Sequence, residues 1–140
     1  MKTYQKLLVV TFTFFSLSAL FTSQPALAQL PGVKRTDLQR HNINISGYET
    51  IQARIDLEPG SAVGMHSHPG EEVIYVLEGI FEYQIEGEQP VMLKAGEVLF
   101  IPAGKNHSAK NIGKVKASEL ATYIVQKDKP LLLFKKESGL

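Results

Sequence analysis

The chain has 140 residues, which allows one domain of modest size. Its 15 Lys and Arg residues nearly balance its 14 Asp and Glu residues, and the formal net charge is +1. This balance gives no electrostatic basis for binding nucleic acid or an anionic membrane. The absence of cysteine excludes disulfides and a lipid-modified cysteine.

Residues 1–28 have the organisation of a secretory signal peptide. Lys2 and Lys6 precede an apolar run at residues 7–21, and residues 26–28 (Ala-Leu-Ala) form a small-x-small cleavage site. A membrane anchor is the alternative, but Thr and Ser interrupt the run, which is shorter than the roughly 20 residues of a spanning helix. Cleavage leaves 13 basic against 14 acidic residues, a net charge of −1. We predict an exported protein, periplasmic or secreted, with no stable membrane anchor after cleavage.

The pattern of apolar and turn residues in the rest of the chain predicts β-strands. Residues 29–45 are interpreted as an N-terminal arm, and residues 51–57 alternate between apolar and polar side chains, the period of a strand with one buried face. Short apolar runs separated by turn residues follow at 62–65, 73–77, 80–85, 91–93, 98–101, 120–125 and 131–134. Many short strands at this spacing predict an all-β sandwich or barrel over residues 46–135, with a tail at 136–140.

The last predicted strand, Leu131-Leu-Leu-Phe134, is apolar on both faces. Such a strand is an aggregation hazard when it lies uncovered at the edge of a sheet. We predict that it is covered, either by the sheet itself or by a second subunit.

Three histidines and one glutamate carry the chemistry of the chain. His66 and His68 are two residues apart, so on a strand both point to the same face. Pro69-Gly70 ends that strand and Glu72 opens the next, so antiparallel pairing of the two strands would bring a carboxylate beside the two imidazoles. His107 follows a second turn and can point back into a barrel. Together these side chains make a candidate site for a divalent metal.

Several residues have a structural interpretation beside the functional one. Strand parity cannot be carried through the Pro69-Gly70 turn, so the residues alone leave Glu71 and Glu72 both open as the acidic ligand. His41 lies apart from the other histidines and is interpreted as a surface residue. Five aromatic residues can line a pocket, although the core is the commoner place for them: Tyr75, Phe81, Tyr83, Phe100 and Tyr123.

Residues 60–111 resemble the two sequence motifs of the cupin superfamily. The first motif, Gly-x5-His-x-His-x3-Glu-x6-Gly, is matched by Gly60, His66, His68, Glu72 and Gly79. The second, Gly-x5-Pro-x-Gly-x2-His-x3-Asn, is matched by Gly96, Pro102, Gly104, His107 and Asn111. All ten positions match, and the spacing of the first motif selects Glu72 over Glu71.

The resemblance is to small, single-domain, exported bacterial cupins. It implies an all-β double-stranded β-helix, or jelly-roll barrel, and a possible homodimer. It also implies one divalent transition metal (Mn, Fe, Ni, Co, Cu or Zn) on His66, His68, Glu72 and His107, and a structural role for Asn111. Similarity to quercetinase-like cupins further implies that Glu72 leaves the metal to act as a general base.

Three functions remain open at this point. The first is a metal-dependent enzyme, an oxygenase or else an isomerase or lyase, that acts on a small oxygen-rich molecule, because four protein ligands leave two positions open on a six-coordinate ion. The second is a non-catalytic protein of the cell envelope that binds a small molecule or metal, because so short a chain has little left for a lid. A purely structural metal is the third.

Overall fold

The structure is a computed structural model that describes residues 30–135. The predicted signal peptide at 1–28 and the tail at 136–140 lie outside these residues, so cleavage and export stay predictions. No helix in the described range is long and apolar enough to cross a membrane.

Within residues 30–135, ten strands form two five-stranded antiparallel sheets. In chain order they are β1 (Val33–Asn42), β2 (Tyr48–Leu57), β3 (Ala62–Ser67), β4 (Gly70–Glu78), β5 (Ile80–Ile85), β6 (Val91–Lys94), β7 (Val98–Ile101), β8 (His107–Asn111), β9 (Ala117–Gln126) and β10 (Leu133–Phe134). The first sheet has the order β1-β2-β9-β4-β7, and the second has the order β10-β3-β8-β5-β6. The predicted all-β jelly-roll barrel is confirmed.

The core lies between the two sheets and is built from alternating side chains. In β2, every second residue from Glu49 to Leu57 is buried, as the period of two predicted. In β5, Phe81, Tyr83 and Ile85 are buried in the same way. Strands such as β2 and β5 therefore place one face in the core and the other at the surface, so their register decides which side chains face the barrel interior.

The segment that we interpreted as an N-terminal arm contains the ten-residue strand β1. It pairs with β2 from Val33 to Asn42, with a register shift between Asp37 and Gln39. Its side chains are mostly polar and exposed after Val33. An edge strand whose outer residues face solvent needs no apolar period, and for this reason the hydrophobic pattern did not reveal it.

The expected pairing of the two strands around Pro69-Gly70 was wrong. Strand β3 pairs with β8 and β10, whereas β4 pairs with β7 and β9 in the other sheet. Pro69 has no N–H to continue a ladder, and a Cβ on Gly70 would lie 2.1 Å from the Ile124 carbonyl oxygen of β9. The turn therefore carries the chain across the barrel and seats β4 closely against β9.

The apolar segment Leu131–Phe134 is covered in part. Leu131 and Leu132 pack against the core, and Leu133 and Phe134 form β10 beside β3. The Leu133 and Phe134 side chains remain 47% and 42% exposed. The sheet therefore covers the first half of the segment, and the homodimer stays a prediction.

Asn111 connects the end of β8 to two other parts of the chain. It is fully buried, and its Nδ2 donates to the carbonyl oxygens of Leu57 at 2.9 Å and Val115 at 2.8 Å. Its Oδ1 accepts the Gly113 N–H at 2.8 Å. These three bonds hold a loop and the end of β2 to β8, which agrees with the structural role that the cupin resemblance implied.

Replacing this side chain tests that role. We expect Asn111→Ala to lower the free energy of unfolding by about 2 kcal/mol, because it leaves the buried Leu57 carbonyl and two part-buried loop groups without their partners. Asn106→Ala is the matched control, because Asn106 makes one exposed bond to Glu86, and its loss changes stability by less than about 1 kcal/mol. Urea denaturation measures both values. Equal losses in the two variants would contradict the structural role.

Candidate functional site

Three histidine rings meet inside one end of the barrel. His66 lies on β3, His68 follows the end of β3, and His107 is the first residue of β8. The register pairs His66 with His107. All three are buried, and each can offer a ring nitrogen within 4.8 Å of the others. Four strands, β4 to β7, separate His107 from the pair in sequence, and the fold brings it beside them in space.

Glu72 reaches the histidines from the opposite sheet. It lies on β4 and is 3% exposed. Its Oε2 is 3.1 Å from His107 Nε2 and 3.3 Å from His68 Nε2. Because successive residues of a strand point to opposite faces, Glu71 points away from this cluster. The four residues singled out by sequence lie together, with Glu72 contacting two of the three rings.

The orientation of each ring is fixed by a backbone carbonyl. The Nδ1–H groups donate at 2.7 Å from His66 to Gly64, at 2.6 Å from His68 to Leu131 and at 3.0 Å from His107 to Lys105. A carbonyl oxygen only accepts, so the proton of each neutral ring resides on Nδ1. The Nε2 lone pairs are therefore left free, which is the arrangement of metal-ligating histidines.

The two sequence motifs are connected by the turn before His107. Gly104 has a φ of +71°, a left-handed conformation that glycine adopts without strain. In this turn the Gly104 N–H donates to the His68 carbonyl oxygen at 3.0 Å. Pro102 and Gly104 thus hold the loop of the second motif against the histidine pair of the first.

Protonation states in the cluster are those of metal ligands. Burial lowers the pKa of His66 to about 4, so this ring is neutral at pH 7. Burial alone would raise the pKa of Glu72, but a His107 or His68 ring that carries a further proton on Nε2 donates to the carboxylate, and this outweighs burial and holds the pKa below its ordinary value. Glu72 is therefore ionised. Neutral imidazoles and a carboxylate are the forms that bind a cation.

Two atoms of the cluster have no hydrogen-bond partner within residues 30–135. They are His68 Nε2 and Glu72 Oε2, and both are buried. With the ring protons on Nδ1, both atoms are acceptors, and acceptors that face each other without a donor are costly in a dry interior. A divalent cation would satisfy them together, so the residues present fit such an ion.

A small cavity of about 20 Å³ adjoins the cluster. Besides the ligand residues, polar side chains of Tyr83, Glu119 and Tyr123 line it. The volume is enough for roughly one or two water molecules. Whatever enters this cavity without rearranging its walls is therefore small.

Sequence reasoning missed Glu119. This residue is 4% exposed on β9, and its carboxylate accepts a hydrogen bond from the Tyr83 hydroxyl. Burial raises the pKa of Glu119 to about 8. The sequence contains a signal for it, because Glu119 occupies a position that alternation predicts to be buried, in a strand that also buries Ala121 and Tyr123. The predicted strand begins at residue 120, so its alternation does not include Glu119.

The aromatic residues divide between core and surface. Phe81, Tyr83 and Tyr123 are buried, as we expected for most of the five, and the two tyrosines also line the cavity. Tyr75 and Phe100 are 46% and 56% exposed on the outer face of the first sheet. His41, interpreted as a surface residue, is exposed on β1.

A double-sheet antiparallel barrel with these two motifs and this histidine cluster is the architecture of a cupin. The family model for the cupin domain matches residues 53–123. The chain belongs to the cupin family.

Several curated proteins are similar in sequence to part of this chain. An oxalate-binding protein of Thermotoga maritima is 42% identical over 76 residues, which are 52% of this chain and 60% of that protein. Germin-like protein 1 of Brassica napus is 36% identical over 84 residues, which are 56% of this chain and 41% of that protein. The chain spans about half the length of these relatives.

Solved structures share the fold. A recombinant oxalate oxidase in complex with glycolate matches with a TM-score of 0.62 and 25% identity, over 79% of this chain and 59% of that one. A cupin-like protein from Thermotoga maritima matches with a TM-score of 0.63 and 22% identity, over 76% of this chain and 78% of that one. The second likeness shows the fold alone.

The raised pKa of Glu119 gives a pH-dependent stability. The folded state holds the carboxyl proton up to about pH 8 while the unfolded chain loses it near its ordinary pKa, so this group lowers stability progressively as pH rises between the two values. Glu119→Gln keeps an acceptor for Tyr83 but cannot ionise. We expect the variant to gain stability over the wild type by about 1 kcal/mol per pH unit from about pH 5 to 8. Urea denaturation at several pH values measures this, and a constant difference would contradict it.

Proposed function

We propose that the protein binds one divalent transition metal on His66, His68, Glu72 and His107, and through it a small oxygen-rich organic acid. The observation that supports this best is the convergence of buried acceptor atoms, two of them without a hydrogen-bond partner among the described residues. Three imidazoles and one carboxylate suit Mn, Fe, Ni, Co, Cu or Zn. The set contains no thiolate, so it does not favour the softer ions that prefer thiolate ligands.

The names of the relatives support an acid as the ligand. One curated relative is called an oxalate-binding protein, and one solved structure is an oxalate oxidase that holds glycolate. Oxalate and glycolate are both small molecules rich in oxygen, the class of ligand that we predicted from the sequence. The cavity of about 20 Å³ holds only about one or two water molecules, so a ligand of this size would need less widening of its walls than a larger one.

We further propose that the bound acid reacts, in an oxygen-consuming step. A bound metal of this kind supplies a Lewis acid and, when it is redox-active, a centre for electron transfer. The residues of the chain contribute fixed ring orientations through the three Nδ1–H bonds and a buried site. Glu72 is ionised and would be able to accept a proton from a hydroxyl group of a hydroxy acid such as glycolate, which makes it the candidate general base.

A non-catalytic role in binding is the second candidate. The small cavity beside the cluster and the name of the Thermotoga maritima relative both favour it. An isomerase or lyase reaction would use the same Lewis acid without oxygen. Metal content alone does not separate these functions, because each of them needs the ion.

Metal binding is tested with single variants of the cluster. We expect metal-free wild-type protein to take up one Mn²⁺ or Zn²⁺ per chain, and His107→Ala to weaken this binding at least about 100-fold, because one of four ligands is lost. His41→Ala is the matched control, since His41 lies on the surface of β1. Isothermal calorimetry and elemental analysis give affinity and stoichiometry. Unchanged affinity in His107→Ala, or an equal loss in His41→Ala, would overturn the proposal.

Catalysis is tested by oxygen uptake with oxalate, glycolate and other small acids, using protein loaded with Mn, Fe or Ni. We expect uptake by the wild type and a loss of at least about 100-fold in Glu72→Gln, because an amide is not a base. Glu71→Gln is the control, and the metal content of each variant is measured in parallel. Absence of uptake and of any change in the acids would favour the binding protein instead. Full turnover by metal-loaded Glu72→Gln would exclude Glu72 as the base.

A further inference from the structure

Five apolar side chains are exposed together on the outer face of the first sheet, the face that points away from the histidine cluster. They alternate with more buried residues along β4 and β7, each is between 40% and 64% exposed, and we call them the outer patch: Val73, Tyr75, Leu77, Val98 and Phe100. The register pairs Val73 with Phe100 and Tyr75 with Val98, so their side chains are neighbours on this face. The proposed function makes no use of the outer patch.

The outer patch extends to an edge of the sheet. β7 is the last strand in the order β1-β2-β9-β4-β7, and its four residues, Val98–Ile101, are all apolar. The opposite edge strand, β1, carries exposed Lys34, Asp37 and Arg40, and such charges discourage pairing with another chain. Strand β7 carries no charge of its own, and a contiguous apolar patch at such an edge marks a surface that a partner covers.

The surroundings of the outer patch are polar, with balanced charges. Gln39 donates to Gln52 at 2.9 Å and Gln52 donates to Thr122 at 3.0 Å, which gives a neutral chain across β1, β2 and β9. Four charged side chains, two of each sign, form a network of ion pairs at one end of the strands: Arg54, Asp56, Glu78 and Lys116. An apolar centre beside a polar rim is the composition of a protein–protein interface, and the balance of charges offers nothing to a strongly charged partner.

The size of the face suits a second copy of this chain. Five strands about 4.8 Å apart, with up to ten residues that each rise about 3.3 Å, give a face of roughly 25 by 30 Å. This is roughly 700 Å², close to the about 800 Å² that each partner contributes to a standard interface. A two-fold axis that lies between two such faces and runs across the strands sets each strand over its own copy, so the two outer patches meet.

The same axis keeps the ion-pair network from meeting itself. Because it reverses the strand direction, an axis between the pair Tyr75–Val98 and the pair Val73–Phe100 sets the first pair against the second pair of the other copy. Val98 of one copy then faces Phe100 of the other, and Tyr75 faces Val73. The ion-pair network lies at one end of the strands, so it faces the opposite end of the second copy's sheet.

We infer that two copies of this chain pack through the outer faces of their first sheets, about this two-fold axis. The inference goes beyond the proposed function, because it needs neither the metal nor the acid. It assigns the contact to the outer patch and not to the segment Leu131–Phe134, whose first half packs against its own core. Glu72 lies next to Val73 on β4 and points to the interior, so the second copy supports the strand that carries a candidate ligand.

Sedimentation velocity tests the contact, with protein isolated after expression of the full 140-residue chain. We expect the wild type to form a dimer with a dissociation constant of about 1 µM or below. Phe100→Glu weakens this association at least about 100-fold, because each dimer loses two aromatic anchors and gains two buried charges. Met92→Glu is the matched control, because Met92 is 63% exposed on β6 of the other sheet, and it leaves the association unchanged.

A mixture of two variants tests the axis. In a mixed dimer of Phe100→Glu with Val98→Lys, the introduced carboxylate faces the introduced ammonium on one side of the axis. On the other side, an unaltered Val98 faces an unaltered Phe100. We expect the mixture to form one-to-one dimers at least about 10-fold more tightly than either variant does alone. Absence of this gain overturns the two-fold arrangement.

Two further results overturn the inference. The first is a wild type that stays monomeric at about 100 µM; binding of that monomer to vesicles of neutral phospholipid, lost in Phe100→Glu, would assign the outer patch to a lipid surface. The second is a dimer that Phe100→Glu leaves intact; its loss in Leu133→Glu would place the contact at the terminal segment. If Phe100→Glu does not fold, Val98→Lys alone decides, since unchanged association in it overturns the inference and weaker association supports it.

Discussion

The structure depends on four acceptor groups that are held together without a donor between them. His66, His68 and His107 direct their Nε2 lone pairs toward the centre of the cluster, and Glu72 adds a carboxylate. In water such an arrangement would disperse, because each group would bind its own solvent. The barrel prevents this with backbone carbonyls behind every ring and an apolar core below. The excess of negative potential in the cluster is the physical basis for binding a cation.

Both sheets are needed to make this cluster. The histidines come from β3, its end and β8 in the second sheet, whereas Glu72 comes from β4 in the first. The geometry of the four groups is therefore set by how the sheets pack, as well as by the local turns. The core residues between the sheets consequently act on the site through their packing, although they contribute no atom to it.

Sequence reasoning succeeded where one local rule decides the outcome. The alternation in β2 gave its buried face, and the motif spacing selected Glu72 where strand parity could not be carried through a turn. It failed where contacts between distant parts of the chain determine the structure. Strand β1 is polar because it lies at an edge, and the pairing of β3 with β8 depends on residues about 45 positions away. The burial of Arg35 becomes visible only once β1 is placed beside β2.

The bond from His68 Nδ1 to the Leu131 carbonyl oxygen joins the cluster to the last described segment of the chain, 63 residues further on. Beyond it, β10 adds the outermost strand beside Ser67 and His66 of β3. The seating of residues 131–134 therefore sets the orientation of one imidazole of the cluster, and a change that displaced this segment would also displace a candidate ligand.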